Sequence, residues 1–474
     1  MGAACACLAL LAGCDFAPKF AKPLVEIPAF FKERPPAQEK AAPGWETATP
    51  GDAMPRGSWW QTFHDPELNS LEEGATASNQ SIAAATASFL SARALVKQAR
   101  SQYYPTVTTS PSVTRSRLSP VSNAAPAPFT VTEYSLPFDA SWELDFWGRI
   151  RNTVKASSME AQATRADLEN VRLTVQAEVA ADYFQLRSLD SQKQILGAAA
   201  LADEESLKLA RVQLGAGLAD GQDVAQAETQ LETARAQMTD VGILRAQLEH
   251  AIATLLGRPA SSFSIAVQPL ATQPAAIPAG LPSQLLERRP DIAAAERRVA
   301  EANAQIGVAR AAYFPTVTLG GSGGSQSSSL ANLGSGPSLV WSVGTTLAQT
   351  LFDGGKRRAV TEQARAAYLG TVANYRQTVL SAFQEVEDNL SNLRILSREL
   401  QQQNAVVEAS QRYLTLANAR YKSGVDTYLN VIVAQTTLLG NQRTAATLRM
   451  QQMTANVQLI KALGGGWKMR PVTS

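Results

Sequence analysis

The sequence predicts a mixed α+β membrane protein of two structural repeats, each supplying strands to an oligomeric β-barrel and a hairpin of very long helices. Three observations carry this expectation. Residues 134–257 align with residues 341–464 at a constant offset of 207 without a gap; a period that long exceeds any solenoid unit and indicates two halves of a pseudo-symmetric chain. Residues 138–258 and 338–470 contain no proline, although the chain has 24. Proline removes a backbone donor and clashes with the preceding turn, so its absence permits very long helices. At the start of each proline-free stretch apolar and polar residues alternate, which is the period of a strand with two unlike faces.

Composition excludes several classes. Basic and acidic residues nearly balance, 43 against 41, for a formal charge of +2, and no concentrated basic face marks a nucleic-acid partner. No apolar run is long enough for a transmembrane helix. Cys5, Cys7 and Cys14 all fall at the start of the chain and His64 is far from His250, so neither a disulfide framework nor a metal or cofactor site is expected.

Leu8-Ala9-Leu10-Leu11-Ala12-Gly13-Cys14 resembles a bacterial lipoprotein signal. Residues 1–13 would be removed and Cys14 would carry N-acyl and S-diacylglycerol chains such as palmitate, converting a soluble terminus into a membrane anchor. The proline-rich stretch that follows cannot pack a core, and residues 14–58 are expected to form a lipid-anchored extended strap.

Residues 59–102 form a helical segment of the first repeat, and residues 103–146 a β-hairpin. Tyr134, Leu136, Phe138, Ala140, Trp142, Leu144 and Phe146 alternate with Ser135, Pro137, Asp139, Ser141, Glu143 and Asp145. Alternation of this length, aromatic on the apolar side, is expected of a membrane strand with lipid outside and water inside; a half-buried sheet of a soluble sandwich is the alternative. On the membrane reading Asp139, Glu143 and Asp145 line the barrel lumen and give it a mildly acidic interior. Leu339, Trp341, Val343, Leu347 and Leu351 repeat the pattern in a second hairpin, residues 313–353, preceded by a helical segment at 284–312.

Residues 147–257 and 354–464 are the two helical hairpins. Leu168, Val171, Val175, Val179, Tyr183, Leu186 and Leu189 recur at three- and four-residue steps, as on one face of a helix. Each rod, some 100 Å long at ~1.5 Å per residue, turns at a glycine, with tips near Gly217 and Gly424. Residues 258–283 link the repeats and residues 465–474 form a C-terminal tail. Four strands leave two unpaired edges, which lipid cannot satisfy, so closure requires other copies of the chain.

Trp59-Trp60-Gln61-Thr62-Phe63-His64-Asp65-Pro66-Glu67-Leu68, Glu287-Arg288-Arg289-Pro290-Asp291-Ile292, Phe352-Asp353-Gly354-Gly355, Arg420-Tyr421-Lys422-Ser423-Gly424-Val425-Asp426 and Ala462-Leu463-Gly464-Gly465-Gly466-Trp467 together resemble the TolC-like outer-membrane factors, in the NodT-type efflux lipoprotein branch. The resemblance implies a homotrimer in the outer membrane, hence a 12-stranded barrel with four strands per chain, continued by a long periplasmic α-helical barrel. It implies as partners a periplasmic adaptor protein and an inner-membrane efflux transporter of the RND type. The implied activity is passive conduction of drugs, solvents or other small solutes, without enzymatic chemistry; an exit duct for secreted polypeptides and a non-conducting envelope-spanning spacer are the alternatives. The family's periplasmic gate maps onto Tyr421, Lys422, Gly424, Asp426 and Asn430, with Gly217 and Asp223 in the first repeat. Asn430 and Val433 stand where some relatives carry aspartates, and Lys422 and Asp426 are expected to make polar contacts between protomers.

Overall fold

A computed structural model describes residues 16–33, 57–118, 129–274, 277 and 282–465. Cys14, the expected signal segment and nearly all of the C-terminal tail lie outside the described residues. Two compact units are assembled from alternating parts of the chain, the first from Met1–Leu24, Ser88–Arg165 and Ala294–Arg376, the second from the remainder.

The first unit is built on one antiparallel sheet. Its strands are β1 (Thr106–Thr109), β2 (Ser112–Leu118), β3 (Phe129–Leu144), β4 (Thr316–Ser327) and β5 (Leu339–Ala348), and β3 and β4 form the middle. β1 and β2 are one strand broken at Ser110-Pro111. Both pair with β3 in a single register, Thr109 opposite Phe138 and Ser112 opposite Ser135, so five strands fill four positions. Proline can donate no ladder hydrogen bond, and the pairing with β3 lapses at Ser110 and Pro111 before resuming in the same register. A second proline, Pro137, sits in the interior of β3 opposite Gly324. A Cβ at Gly324 would lie 2.2 Å from the Leu136 carbonyl oxygen, so the glycine is what lets the two backbones approach.

Register fixes the faces, because directly paired residues point the same way. Tyr134, Leu136, Phe138, Trp142 and Leu144 share one face with Val107 and Val113 on one side and with Val317 and Leu319 on the other. Continuing across the sheet, that face includes Leu339, Trp341, Val343 and Leu347 of β5. Trp341 is 81% exposed and Val343 80%. An apolar face this open, with unpaired edges at β1/β2 and at β5, is unfinished in a single chain.

The helices show the repeat directly. α1 (Pro66–Ser78) precedes α2 (Gln80–Ser101); α3 (Arg149–Gly215) and α4 (Gly221–Leu255) follow the first strands. α5 (Pro290–Ala311) precedes β4, and α6 (Lys356–Lys422) and α7 (Tyr428–Ala462) close the chain. α3 and α6 each have 67 residues and α4 and α7 each have 35. Three glycine pairs at the offset of 207 hold positive φ: Gly148 and Gly355, Gly217 and Gly424, Gly257 and Gly464. Among the described residues no helix is long and apolar enough to cross a membrane.

Acids at the strand-to-helix junctions act as caps. Asp145, expected on the lumen face, lies just beyond the end of β3 at Leu144, and its carboxylate accepts from the backbone N–H groups of Ile150 (3.0 Å) and Arg151 (2.8 Å). An acid satisfies the orphan donors at a helix start and favours the positive end of its dipole. Asp353 does the same before α6, accepting from the Gly355 and Arg357 N–H groups and pairing with the Arg357 side chain at 2.6 Å. The basic residues at the helix starts are therefore partly engaged in caps.

The strap is ordered where it is described. Phe16 stacks on Phe314 at 4.3 Å, and Phe314 on Trp147 at 5.0 Å. Asn303 donates to the Pro18 carbonyl at 2.8 Å and Lys22 pairs with Glu296 at 2.8 Å. In the second unit, the backbone N–H groups of Lys32 and Glu33 donate to the Glu387 carboxylate.

The family-type motifs of the second unit are structural. Trp59, Trp60 and Phe63 are buried, and Asp65 caps α1 while accepting from the Tyr183 hydroxyl at 2.7 Å. Arg289 holds Asp291 (2.6 Å), Glu385 (2.7 Å) and the Ala462 carbonyl (3.1 Å), joining the end of α7 to α6. Arg187, buried, pairs with Glu67 and with Asp190 at 3.2 Å and donates to the Ala266 carbonyl at 2.6 Å. Asp190 in turn holds Arg245 at 2.7 Å and accepts from the Gln268 N–H at 3.0 Å. This buried network fastens the inter-repeat segment to α3 and α4.

Candidate functional site

Both rods end in the same turn. Leu218 N–H reaches the Gln213 carbonyl (2.9 Å) and Gly217 N–H the Leu214 carbonyl (3.0 Å); Val425 and Gly424 make the corresponding bonds to Arg420 and Tyr421, both 3.0 Å. This Schellman geometry places one residue in the left-handed region, and Gly217 and Gly424 occupy it, each at φ 70°. Asp220 then caps α4 through the Gln222 and Asp223 N–H groups, at 2.8 and 3.1 Å.

The second tip is braced by Asp426, just before the N-cap residue Thr427. Its carboxylate accepts from Arg420 Nε (3.1 Å), from Asn430 Nδ2 and from the Thr427 N–H (3.0 Å). These donors hold Asp426 below the usual carboxylate range, Arg420 contributing most. Asp426 and Asn430 are thus engaged inside their own hairpin. Lys422 makes no hydrogen bond or ion pair with any described residue of its chain, and lines an open cleft of about 680 Å³ with Asp220, Asp223, Tyr421 and Asp426.

One polar contact joins the two tips. The Tyr421 hydroxyl donates to Gln213 Oε1, and its ring lies 5.3 Å from that of Tyr428. Burial, then the charge of Asp223, raises the Tyr421 phenol above its ordinary value. Behind this latch α3, α4, α6 and α7 bury an apolar layer of Leu207, Ala210, Leu231, Tyr428 and Val431, against which the repeat-related Val224 packs. Tyr428 is 2% exposed, and burial pushes its hydroxyl up to about 12. A cavity of about 500 Å³ adjoins the layer, lined in part by Asp203, Tyr428 and Gln435.

The structure brings Tyr421, Lys422, Asp426 and Asp223 to one cleft, with Asn430 on Asp426; Gly217 and Gly424 shape the turns. Gln213, Arg420, Tyr428 and Asp203 are absent from the sequence-based set. Gln213 and Arg420 occupy equivalent positions of the two repeats, and that equivalence is the signal that could have drawn attention to them. In the sheet, Asp139 and Glu143 lie on the face opposite the apolar one. Glu143 is paired with Arg149 at 2.7 Å, which leaves Asp139 as the acid of that set without an ion pair.

Residues 72–258 and 281–465 each match the outer membrane efflux protein family. The chain belongs to that family. This efflux protein is 35% identical over 450 residues to the pyoverdine export outer membrane protein OpmQ of Pseudomonas putida, covering 92% of the chain and 94% of the relative. It is 32% identical over 463 residues to the solvent efflux pump outer membrane protein SrpC of Pseudomonas putida, covering 98% and 97%. It superposes on the outer-membrane channel OprN with a TM-score of 0.86 at 29% identity, covering 96% of this chain and all of that one. The efflux protein is accordingly one subunit of a trimeric TolC-like channel of the outer membrane, whose four strand positions per chain give a twelve-stranded barrel. Three copies supply the partners that the open edges of β1/β2 and β5 require. The family is one of transport channels rather than of enzymes.

Proposed function

We propose that this efflux protein is the exit duct of a tripartite pump, passing drugs, solvents or other small solutes from a periplasmic adaptor and an RND-type inner-membrane transporter to the outside. Its relatives include proteins of pyoverdine export and of solvent efflux, which favours small solutes over polypeptides. The partner pump supplies the energy, and the chain supplies a conduit whose periplasmic end must stay shut until engaged. The observation that carries the gate is the meeting of the two hairpin tips through Tyr421 and Gln213 over a buried apolar layer. Asp426 and Asn430 brace the turn that follows Tyr421, and Asp223 faces Tyr421 from the first hairpin across the cleft. Gly217 and Gly424 give the turns their shape and are positioned to dock the adaptor, while Lys422 is available to a neighbouring protomer. Asp139 contributes three carboxylates to the lumen of the trimer, and Cys14 bears the acyl chains.

The test is conductance of single purified trimers in planar bilayers, comparing the parent with the Tyr421→Ala, Asp426→Ala double variant. Rare, small openings in the parent and frequent, larger ones in the variant are expected. Silence from both, with trimers confirmed in the bilayer, would count against a conducting pore. Intact mass of the mature protein tests acylation at Cys14.

A further inference from the structure

Charge on the strands is segregated by face. Register sets Arg115 opposite Thr132 and Arg117 opposite Thr130, so both arginines lie on the face of Tyr134, Leu136, Phe138 and Trp142. The strand acids Glu133, Asp139 and Glu143 all fall on the other face, where Glu133 accepts from Gln326 at 2.7 Å and Glu143 from Arg149. Arg115 and Arg117 are therefore the only charged residues on the apolar face of the five strands. They stand one strand period apart and exposed, with no hydrogen bond or ion pair to any described residue.

Their depth follows from strand geometry. From Leu144 to Tyr134 the apolar face of β3 runs about 33 Å at ~3.3 Å per residue, or roughly 25 Å along the membrane normal at a tilt of about 40°. That is the height of a barrel's apolar band. The Leu144 end leads into α3 and is periplasmic; the arginines begin one period beyond Tyr134 at the opposite end, level with the head groups of the outer leaflet. A guanidinium on a lipid-facing surface is disfavoured within the hydrocarbon and tolerated at its edge. Tolerance alone does not account for two arginines that have no partner among the described residues, are flanked by two threonine hydroxyls and face no acid of the strands. The outer leaflet of an outer membrane is rich in phosphorylated glycolipid, and the planar fork of arginine suits phosphate oxygens.

We propose that Arg115 and Arg117, with the hydroxyls of Thr130 and Thr132, form a lipid-facing phosphate site at the outer rim of the barrel that binds the phosphates of lipid A. The site depends on the orientation of the barrel and not on the solute conducted or on the gate.

Native mass spectrometry of delipidated trimers decides it, with bisphosphorylated lipid A, fully dephosphorylated lipid A and inorganic phosphate as probes. Retention of bisphosphorylated lipid A at least roughly tenfold tighter than the dephosphorylated form is expected, since two charge-assisted contacts are gained. Arg115→Gln with Arg117→Gln should abolish that preference while trimer mass and conductance stay as in the parent; Arg115→Lys with Arg117→Lys should keep part of it. Equal retention of both lipid forms by the parent, or an undiminished preference in the glutamine variant, would overturn the site. Displacement of lipid A by equimolar inorganic phosphate would overturn its assignment to a lipid. If the glutamine variant fails to assemble, the comparison of the two lipid forms on the parent still decides.

Discussion

Replacing Tyr421 by phenylalanine removes one oxygen from each protomer and leaves the ring packed beside Tyr428. The lost contact is a partly buried, neutral hydrogen bond to Gln213, worth about 0.5–1.5 kcal/mol net of the bonds to water that replace it. With three copies released together as the tunnel mouth opens, the closed trimer loses about 1.5–4.5 kcal/mol, and the ratio of open to closed states rises roughly ten-fold to two-thousand-fold. Open probability of single trimers in planar bilayers reads this ratio directly. Gln213→Leu should produce a rise of the same order, and the two changes together no more than the larger single effect, because one bond can be lost only once. Unchanged open probability in Tyr421→Phe would refute the latch. Additive effects of the two substitutions would refute the pairing of these residues.

Asp203 is 2% exposed, one of its carboxylate oxygens has no partner, and burial raises it to about 6; the folded chain therefore binds this proton more tightly than the unfolded chain, where an aspartate titrates near about 3.9. Its contribution to stability is lost as pH rises from about 4 through 6, so Asp203→Asn should melt higher than the parent at pH 8 and equally at pH 4. Gly217 and Gly257 both hold positive φ, but a Cβ at Gly257 would lie 2.4 Å from the Ser78 carbonyl oxygen while one at Gly217 meets nothing within 4 Å. Gly217→Ala should cost about 1–2 kcal/mol of backbone strain and Gly257→Ala visibly more, compared by thermal midpoint. Arg187→Met takes one guanidinium from Asp190, which Arg245 still holds, and leaves the Ala266 carbonyl without its donor; it should destabilise by about 1.5–3 kcal/mol in urea melts.

The long helices and the repeat were legible because their signals are local and extended. The proline-free stretches, the constant offset and the turn glycines each recur twice, and each corresponds to backbone the chain forms through its own sequence. Strand ends were less legible. Asp145 continues the polar half of the alternation begun at Ser135, yet it caps a helix; a lumen acid and a capping acid have the same polarity, and only the hydrogen bonds of Ile150 and Arg151 distinguish them. The sequence predicts one hairpin over residues 103–146 without the break at Ser110-Pro111, and the single register on either side of it is set by β3. At the tips Tyr421 could be carried over from a family pattern, whereas its acceptor Gln213 could not, since proximity of the two hairpins is a tertiary fact. The Glu67, Arg187, Asp190 and Arg245 network was invisible for the same reason. Apart from Arg187 and Asp190, one helical turn apart, its members lie far apart in sequence, and its counterpart positions in the second repeat, Arg394 and Ser397, do not preserve the set.

The second unit distributes its electrostatics unevenly, and that distribution suits a gated duct. At Arg187 and Asp190 the ion pair is almost wholly buried, with side-chain exposures of 3% and 0%, so breaking it would leave a desolvated charge. Toward the tips the ion pairs become open: Arg211 and Glu228 are 3.8 Å apart and more than half exposed, and Arg235 and Glu204 are 3.7 Å apart. Such pairs contribute about 0–1 kcal/mol and are screened by salt. The strongest tip contacts, those of Asp426 with Arg420 and Asn430, lie within one hairpin and persist when the hairpins separate. On the proposed gate, opening gives up the neutral Tyr421 contact and part of a small apolar layer. A partner protein that gains even modest contact area at three tips can meet that requirement, while the buried network keeps the inter-repeat segment fastened to α3 and α4.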